Sequence, residues 1–106
     1  MNLNKSAFAR VRDGSKTIEL RLLDEKRKLI KLDDVIEFSC ESGGDKIQKR
    51  VVGLVNFRDF RDLIYSLPLE LFGCESREVA LAEVNAIYSV DRQRGFSVLG
   101  IVLGSN

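Results

Sequence analysis

The sequence predicts an α+β fold built on a small, curved, mixed sheet or barrel. Short segments that alternate like β-strands are interleaved with segments of helical period, all within 106 residues. Gly43-Gly44 separates two strand-like segments and predicts a hairpin, because paired glycines supply the positive φ that tight turns need. A nearly continuous apolar run over residues 96–103 predicts a last strand that is central or covered on both faces.

The first half of the chain is predicted to form one helix and two strands before the hairpin. Apolar residues at helical spacing that end at a glycine indicate the helix, and alternating apolar and polar residues indicate the strands. The predicted elements are a helix over residues 4–13 ending at Gly14, a strand over 17–23, a turn or single helical turn over 24–30 capped by Asp24, a tight turn at Asp33-Asp34, and a strand over 35–40.

After the hairpin, the return strand Lys46–Phe57 is apolar on both parities at its centre, which predicts a position in the middle of the sheet. Gly53 within it indicates a bulge or a barrel bend. The other predicted elements are a helix capped by Asp59, a short segment from Pro68 to Gly73, a helix capped by Ser76, a polar connector over 89–95, and the last strand. The stripe of the third helix predicted to be buried consists of Ala80, Leu81, Val84, Ile87 and Tyr88.

Length and composition predict one domain, residues 1–106, in the cytoplasm. The apolar share of 44% and the charged share of 31% are typical of a globular protein. No apolar run approaches the roughly 20 residues that span a bilayer, and the first residues lack the apolar core of a secretory signal. No membrane association is expected.

The chain contains no histidine, which excludes Ser-His-Asp and Cys-His catalysis and the common His/Cys zinc sites. Cys40 and Cys74 lack CxxC spacing and are predicted to be small buried hydrophobic residues. We expect no metal and no cofactor. Any catalysis has to use Lys, Glu, Asp, Ser, Thr or Tyr.

The net charge of +1 conceals an asymmetry. Residues 1–31 hold 9 Lys/Arg against 4 Asp/Glu, or +5, and the remainder holds 8 against 12, or −4. A basic patch on a nearly neutral protein fits an anionic partner such as nucleic acid. The patch is predicted to comprise Arg10, Arg12, Lys16, Arg21, Lys26, Arg27, Lys28 and Lys31.

The strongest candidate site lies on the strand over residues 17–23. Side chains alternate across a strand, so Glu19 and Arg21 project together from the face opposite the apolar residues, with Lys16 at the mouth of the strand. The three groups could hold a phosphate, a sugar or a base. They could also be an exposed salt bridge, which from composition alone is the favoured interpretation.

A second candidate combines Tyr88 and Ser89 with Asp91, Arg92 and Arg94. Tyr88 lies on the apolar stripe of its helix and is expected to be a core aromatic with a solvated hydroxyl. Ser89 is expected to cap the following turn; the functional alternative places its hydroxyl beside Lys16 at the mouth of a groove. Arg58 is a further candidate for contact with a phosphate of nucleic acid.

Five stretches carry a further signal, in this order along the chain: Gly14 to Leu22, which contains a GxKxxExR core, Asp24 to Arg27, Ile30 to Phe38, Ile87-Tyr88-Ser89, and Gly95 to Ile101. Together they resemble the ASCH domain family of the PUA-like superfamily. The resemblance covers nearly the whole chain in order, which is more specific than the core motif alone.

The resemblance implies a small PUA-like β-barrel with flanking helices and a cleft lined by Lys16, Glu19 and Arg21 that binds RNA. Asp33-Asp34 stands where the family usually has Gly-Asp, which is expected to alter the turn but not the cleft. Phe96 stands where the family usually has a tyrosine, which removes a hydroxyl.

A related branch of small ASCH proteins hydrolyses acetylated cytidine with a lysine, a threonine and a distant glutamate. The lysine matches Lys16, but the threonine aligns with Glu19, which argues against that activity. The alternative prediction is therefore a small hydrolase of modified nucleosides, or a ribonuclease, with Lys16 as general base and Glu19 as its partner.

The main prediction is an RNA-binding module. Lys16 and Arg21 would contact a phosphate or a base edge, and Glu19 would orient them or accept a hydrogen bond from an exocyclic amine or a 2′-OH. The residues predicted to contact RNA are Lys16, Glu19, Arg21, Lys26, Tyr88, Ser89 and Arg92.

Overall fold

The computed structural model describes residues 1–104, so the last two residues of the predicted 1–106 domain lie outside the described part. Within residues 1–104 the chain forms five strands and four α-helices. The strands are β1 (Asn2–Leu3), β2 (Ile18–Leu22), β3 (Val35–Cys40), β4 (Lys46–Phe57) and β5 (Val98–Gly104). The helices are α1 (Lys5–Asp13), α2 (Phe60–Ser66), α3 (Arg77–Ile87) and α4 (Val90–Gln93), with 3-10 turns at Arg27–Leu29 and Leu69–Phe72. None of these described helices is long and apolar enough to cross a membrane.

The strands form one curled sheet in the order β1-β3-β4-β5-β2. β1 runs parallel to β3 and the other neighbours are antiparallel, so the sheet is mixed. β4 occupies the centre, as its apolar sequence predicts. β1 and β2 are the two edges, and the sheet is a half-barrel that is open between them. The predicted class, an α+β fold with a small barrel and flanking helices, is confirmed.

The ends of the helices follow the predicted capping chemistry. The carboxylate of Asp59 accepts a hydrogen bond from the Asp62 N–H at 2.8 Å, and the Ser76 hydroxyl accepts one from the Val79 N–H at 3.1 Å. Gly14 ends α1 with a φ of 85°, a left-handed conformation that glycine adopts without strain. The predicted bulge in β4 is also present: the register against β5 shifts between Val51 and Gly53.

Apolar side chains cover both faces of the sheet. One cluster packs α2 and α3 against the sheet and is centred on Phe60, Leu63 and Ile18. The other packs α1 against the sheet, around Phe38 and Ile101. The two clusters explain why β5 is buried along nearly its whole length.

Three details differ from the sequence predictions. Asn2–Leu3 pairs with β3 as a strand, although two residues carry no detectable alternation. The predicted polar connector contains α4. Ile87 was predicted to be buried but its side chain is 60% exposed, because α3 ends there at the edge of its packing surface.

The turn before β3 takes an unusual backbone conformation. Asp33 has a φ of 71°, and in residues 1–104 it is the one non-glycine residue with a positive φ. The turn is fixed to β4 by two hydrogen bonds, from the Asp33 N–H to the Val51 carbonyl and from the Val51 N–H to the Asp34 carbonyl, both 2.8 Å. Asp33 therefore keeps a conformation that costs an L-residue free energy and costs glycine little.

We expect Asp33→Gly to raise the free energy of unfolding by about 0.5–1 kcal/mol, because it removes the left-handed strain and loses only a weak exposed ion pair with Arg50 at 3.9 Å. Asp33→Ala is the control, since alanine keeps the strain. Denaturant unfolding of the three proteins makes the comparison. Equal stability of the glycine and alanine variants would contradict this account of the turn.

Candidate functional site

Glu19 is a buried carboxylate on an edge strand. Its exposure is 4%, although the exposed-salt-bridge interpretation of the sequence requires it to face solvent. One carboxylate oxygen accepts the Leu20 N–H at 3.1 Å, and the other accepts Arg21 Nη2 at 2.9 Å and Nε at 3.3 Å. These bonds offset the cost of taking the charge out of water. The exposed-pair interpretation is wrong.

Arg21 connects the two edges of the half-barrel. Besides its bonds to Glu19, Arg21 Nη2 donates to the Asn2 carbonyl of β1 at 3.0 Å. Burial works to lower the pKa of Arg21, but the charge of Glu19 and the Tyr88 hydroxyl outweigh it, so this pKa is raised above its ordinary value. In the described sheet β1 and β2 are not paired by backbone hydrogen bonds, and the Arg21 side chain spans the opening between them.

Lys16 stands at the entrance of β2 with its backbone fixed. Its N–H donates to the Arg10 carbonyl at 3.0 Å, and the next N–H, of Thr17, donates to the Leu71 carbonyl at 3.0 Å. The Lys16 ammonium lies 3.8 Å from Glu19 Oε1, and its side chain is 15% exposed. That separation is too long for a hydrogen bond. Lys16 is therefore held near Glu19 and keeps its donors available.

The three side chains line one cleft between β2, the start of α1 and the end of α3. Its two adjoining cavities have volumes of about 50 and 70 Å³, room for only a few water molecules. Both cavities are lined by Lys16, Glu19, Leu20, Asn4, Ala7 and Ile87. Ile87, which is predicted for the core, is instead an exposed apolar residue at the rim of this cleft.

A polar network that the sequence did not reveal forms the far wall of the cleft. Arg10 Nη2 contacts Glu83 Oε2 at 2.6 Å, and the Cys74 thiol donates to Glu83 Oε1 at 2.9 Å. Arg10 Nη1 also donates to the Phe72 and Gly73 carbonyls, at 3.3 and 3.2 Å. Arg10 thereby fixes α3 and the second 3-10 turn to α1. Cys74 was predicted to be a buried hydrophobic residue, but it is half-buried and acts as a polar partner.

The network sets the charge states around Lys16. Burial acts to raise the pKa of Glu83, but the Cys74 thiol, Arg10 and Lys16 act more strongly in the opposite direction. The pKa of Glu83 therefore lies below its usual range. Burial, and then Glu83, raise the pKa of the Cys74 thiol. Cys74 is therefore a protonated thiol at neutral pH and a poor nucleophile. Arg10, Lys16 and Arg21 oppose Glu19 and Glu83 around the cleft, so its five charges sum to +1.

The second candidate group is divided by the fold. Tyr88 is buried, stacks on Phe60 with ring centroids 5.6 Å apart, and lines the cleft beside Arg21. The Ser89 hydroxyl caps α4 by accepting the Arg92 N–H at 3.2 Å, as expected, and Ser89 does not line the cleft. The Arg92 guanidinium lies over the Tyr88 ring, 5.6 Å from its centroid.

The predicted basic patch is mostly neutralised by ion pairs. Of its eight members, Lys26 and Lys31 have no carboxylate within ion-pair distance among residues 1–104. Lys26 does not line the cleft of Glu19 but a separate groove. Arg58, the other predicted phosphate contact, is exposed and lies 3.6 Å from the carboxylates of Asp59 and Asp62.

Fold and site together define a class of protein: a small half-barrel domain with a partly buried lysine, glutamate and arginine lining a cleft at its seam. The chain belongs to the ASCH domain family, whose model matches residues 1–93. This family has a PUA-like fold that is often linked to RNA binding.

Two solved structures are similar to the whole described fold. The crystal structure of hypothetical protein PH0355 is 27% identical with a TM-score of 0.80, covering 97% of this chain and 94% of that one. The solution NMR structure of protein PF0455 from Pyrococcus furiosus is 28% identical with a TM-score of 0.70, covering 97% of this chain and 92% of that one. No curated protein sequence matches the chain.

We expect Glu19→Ala to lower the free energy of unfolding by about 3 kcal/mol, because it leaves the Arg21 guanidinium largely buried without a counter-charge. A double-mutant cycle with Arg21→Ala should give a coupling energy of about 1–3 kcal/mol. The control is the Arg12–Asp45 pair, 3.1 Å apart with side chains 54% and 68% exposed, whose coupling should stay below about 1 kcal/mol. Equal coupling in the two pairs would show that burial does not strengthen the Glu19 site.

Proposed function

We propose that the chain is a single-domain, cytoplasmic RNA-binding module that receives part of a single-stranded or looped RNA in the Glu19 cleft. Family membership supports RNA as the class of partner. The observation that carries the proposal is the geometry of Lys16, a cation fixed beside a buried carboxylate with its own hydrogen-bond donors still available. Two cysteines without a disulfide bond are compatible with a reducing compartment.

The two carboxylates of the cleft favour a neutral polar group over a phosphate. A phosphate placed beside Lys16 would also face Glu19 and Glu83, and like charges at close range repel. A base edge or a 2′-OH presents both donors and acceptors. It can donate toward a carboxylate and accept from the Lys16 ammonium.

The size of the cleft limits how far an RNA group can enter. Its cavities hold only a few waters, so a hydroxyl or the edge of a base fits, whereas a whole nucleotide does not. Ile87 and Leu20 offer apolar contacts at the rim for the rest of the base. Unstacked bases of single strands and loops can present their edges in this way, but those of a continuous duplex cannot.

The residues of the site then divide into two roles. Arg21 is committed to Glu19 and to the Asn2 carbonyl, so it positions the carboxylate and closes the barrel seam. Lys16 is the principal donor to RNA, and Tyr88 supports Arg21 from the far side. Arg92 and Ser89 remain candidates for contacts outside the cleft.

One observation favours hydrolysis of a modified nucleoside as a second candidate: Lys16 lines the same narrow, partly buried cleft as two carboxylates, Glu19 and Glu83. In that reaction Lys16 would first give one ammonium proton to solvent and then act as the general base, with Glu19 as its partner. Both oxygens of Glu19 already accept hydrogen bonds, so Glu19 would position Lys16 rather than take a proton itself. Turnover of free acetylated cytidine that is lost in Lys16→Ala would support this candidate.

We expect Lys16→Ala to weaken binding of a short mixed-sequence single-stranded RNA by about tenfold or more, because a hydrogen bond from a charged donor is lost in a partly buried site. The dependence of affinity on salt should change little, since the contact is to a neutral group and not to a phosphate. Fluorescence anisotropy across a salt series measures both quantities.

The matched control is Lys5→Ala, which removes the same charge from an exposed position on α1. It should leave affinity nearly unchanged. Unchanged affinity of Lys16→Ala at low salt would remove the cleft from RNA binding, and no binding of RNA to the wild type at any salt would overturn the proposed function itself.

A further inference from the structure

A second groove lies where the chain leaves β2, and it shares no lining residue with the cleft among residues 1–104. It has a volume of about 560 Å³, several times that of either cleft cavity. Two chain segments form it, one directly after β2 and one directly before β5. The lining residues are Leu23, Asp24, Glu25, Lys26, Lys28, Gly95, Phe96 and Ser97.

Phe96 presents an aromatic ring to this groove that the fold does not use. Its side chain is 43% exposed and belongs to neither core cluster of the described residues. Its backbone is held by a hydrogen bond from its N–H to the Gln93 carbonyl at 3.2 Å and follows Gly95, whose φ is 82°. The ring is thus presented on a fixed backbone beside open space.

Within the described part of the chain, ion pairs among the charged residues of the groove leave one lysine without a partner. The lining contains two acidic residues, Asp24 and Glu25, and two basic residues, Lys26 and Lys28, so its formal charge is zero. The Asp24 carboxylate accepts hydrogen bonds from the Arg27 N–H at 2.9 Å and from the Arg27 guanidinium at 3.2 Å. The Glu25 carboxylate accepts one from the Lys28 ammonium at 3.1 Å. Lys26 has no such partner in residues 1–104, so its charge is available to a ligand.

We propose that this groove binds single-stranded RNA, with one base stacked on Phe96 and a neighbouring phosphate contacted by Lys26. The inference rests on the proposed function, because it extends the footprint of the same RNA beyond the Glu19 cleft. Leu23 follows Glu19 by four residues, about 13 Å along the strand, so one short oligonucleotide can reach both places. Aromatic rings stack on any base, and a lysine contacts any phosphate. The groove therefore contributes affinity for RNA of any sequence, and the cleft distinguishes one nucleotide by its hydrogen-bonding groups.

The test uses a mixed-sequence single-stranded RNA of about eight nucleotides. Phe96→Ala should weaken its binding about five- to hundredfold, the range expected for loss of one stacked base. Phe96→Leu should weaken binding as well, since it keeps an apolar side chain and loses the ring. Tyr65→Ala is the matched control, because Tyr65 is an aromatic residue of 42% exposure beside an arginine, on the separate surface of α2.

A second measurement identifies the contact as stacking. Abasic substitution at one position of the RNA should weaken binding to the wild type but have no further effect on Phe96→Ala, because both changes remove the same contact. Lys26→Ala should reduce the slope of log affinity against log salt by about 0.7, the value for one phosphate of a single strand.

The outcomes separate failure of this inference from failure of the proposed function. If the wild type binds RNA and Phe96→Ala binds as well as Tyr65→Ala, the groove is not an RNA surface and the cleft proposal stands. If Phe96→Leu retains full affinity, the groove offers an apolar contact and base stacking is overturned. If the wild type binds no RNA at any salt, both proposals are overturned.

Discussion

The arrangement of this half-barrel depends on a carboxylate buried at the open side of the sheet. A charge in that position is tolerable only if it has cationic partners and hydrogen-bond donors. Glu19 finds them within its own strand and just before it: the Leu20 N–H, the Arg21 guanidinium and the Lys16 ammonium. Because Arg21 also donates to β1, the same interaction that neutralises Glu19 holds the two edges of the barrel together.

This constraint relates structure to the proposed activity. Moving Arg21 away from Glu19 would leave the buried carboxylate with only the more distant Lys16 as a counter-charge, so Arg21 is better suited to holding the site than to capturing a ligand. The Lys16 ammonium is close enough to Glu19 to be held in place, but it is too far away to donate a hydrogen bond to that carboxylate. On the far wall, Arg10 and Cys74 hold Glu83 in a similar way, so each carboxylate of the cleft has an arginine partner and Lys16 is the surplus cation. A small cleft with one surplus cation suits a hydrogen-bonding group, and attraction to the backbone of the proposed RNA has to come mainly from elsewhere on the surface.

Much of this site follows from the sequence, and the missing parts have physical causes. Strand alternation correctly placed Glu19 and Arg21 on one face, because side-chain direction is a local property of the backbone. Their burial was not predictable, since it depends on α1 and on β1, a strand of two residues that has no pattern of its own. Arg10 contacts Glu83 across 73 residues of sequence, and nothing local to either residue indicates that pairing.

The helices likewise have some features that the sequence predicts and others that it does not. Asp59, Ser76 and Gly14 mark their boundaries because capping is chemistry within a few residues. Ile87 has the spacing of a buried residue, but it lies on the last turn of α3, where helical period alone cannot tell whether a neighbouring element still covers it. Its position on the rim of the cleft became visible only once β2 and α3 were placed together.

An NMR titration of the labelled protein with single-stranded RNA tests the central claim most directly, because the Leu20 N–H and the Arg21 Nε–H both donate to Glu19 and report on it. If RNA enters this cleft, these two signals should shift early in the titration and saturate with the binding curve. If the signals of Leu20 and Arg21 stay in place while others shift, RNA binds elsewhere and the buried carboxylate serves the fold alone.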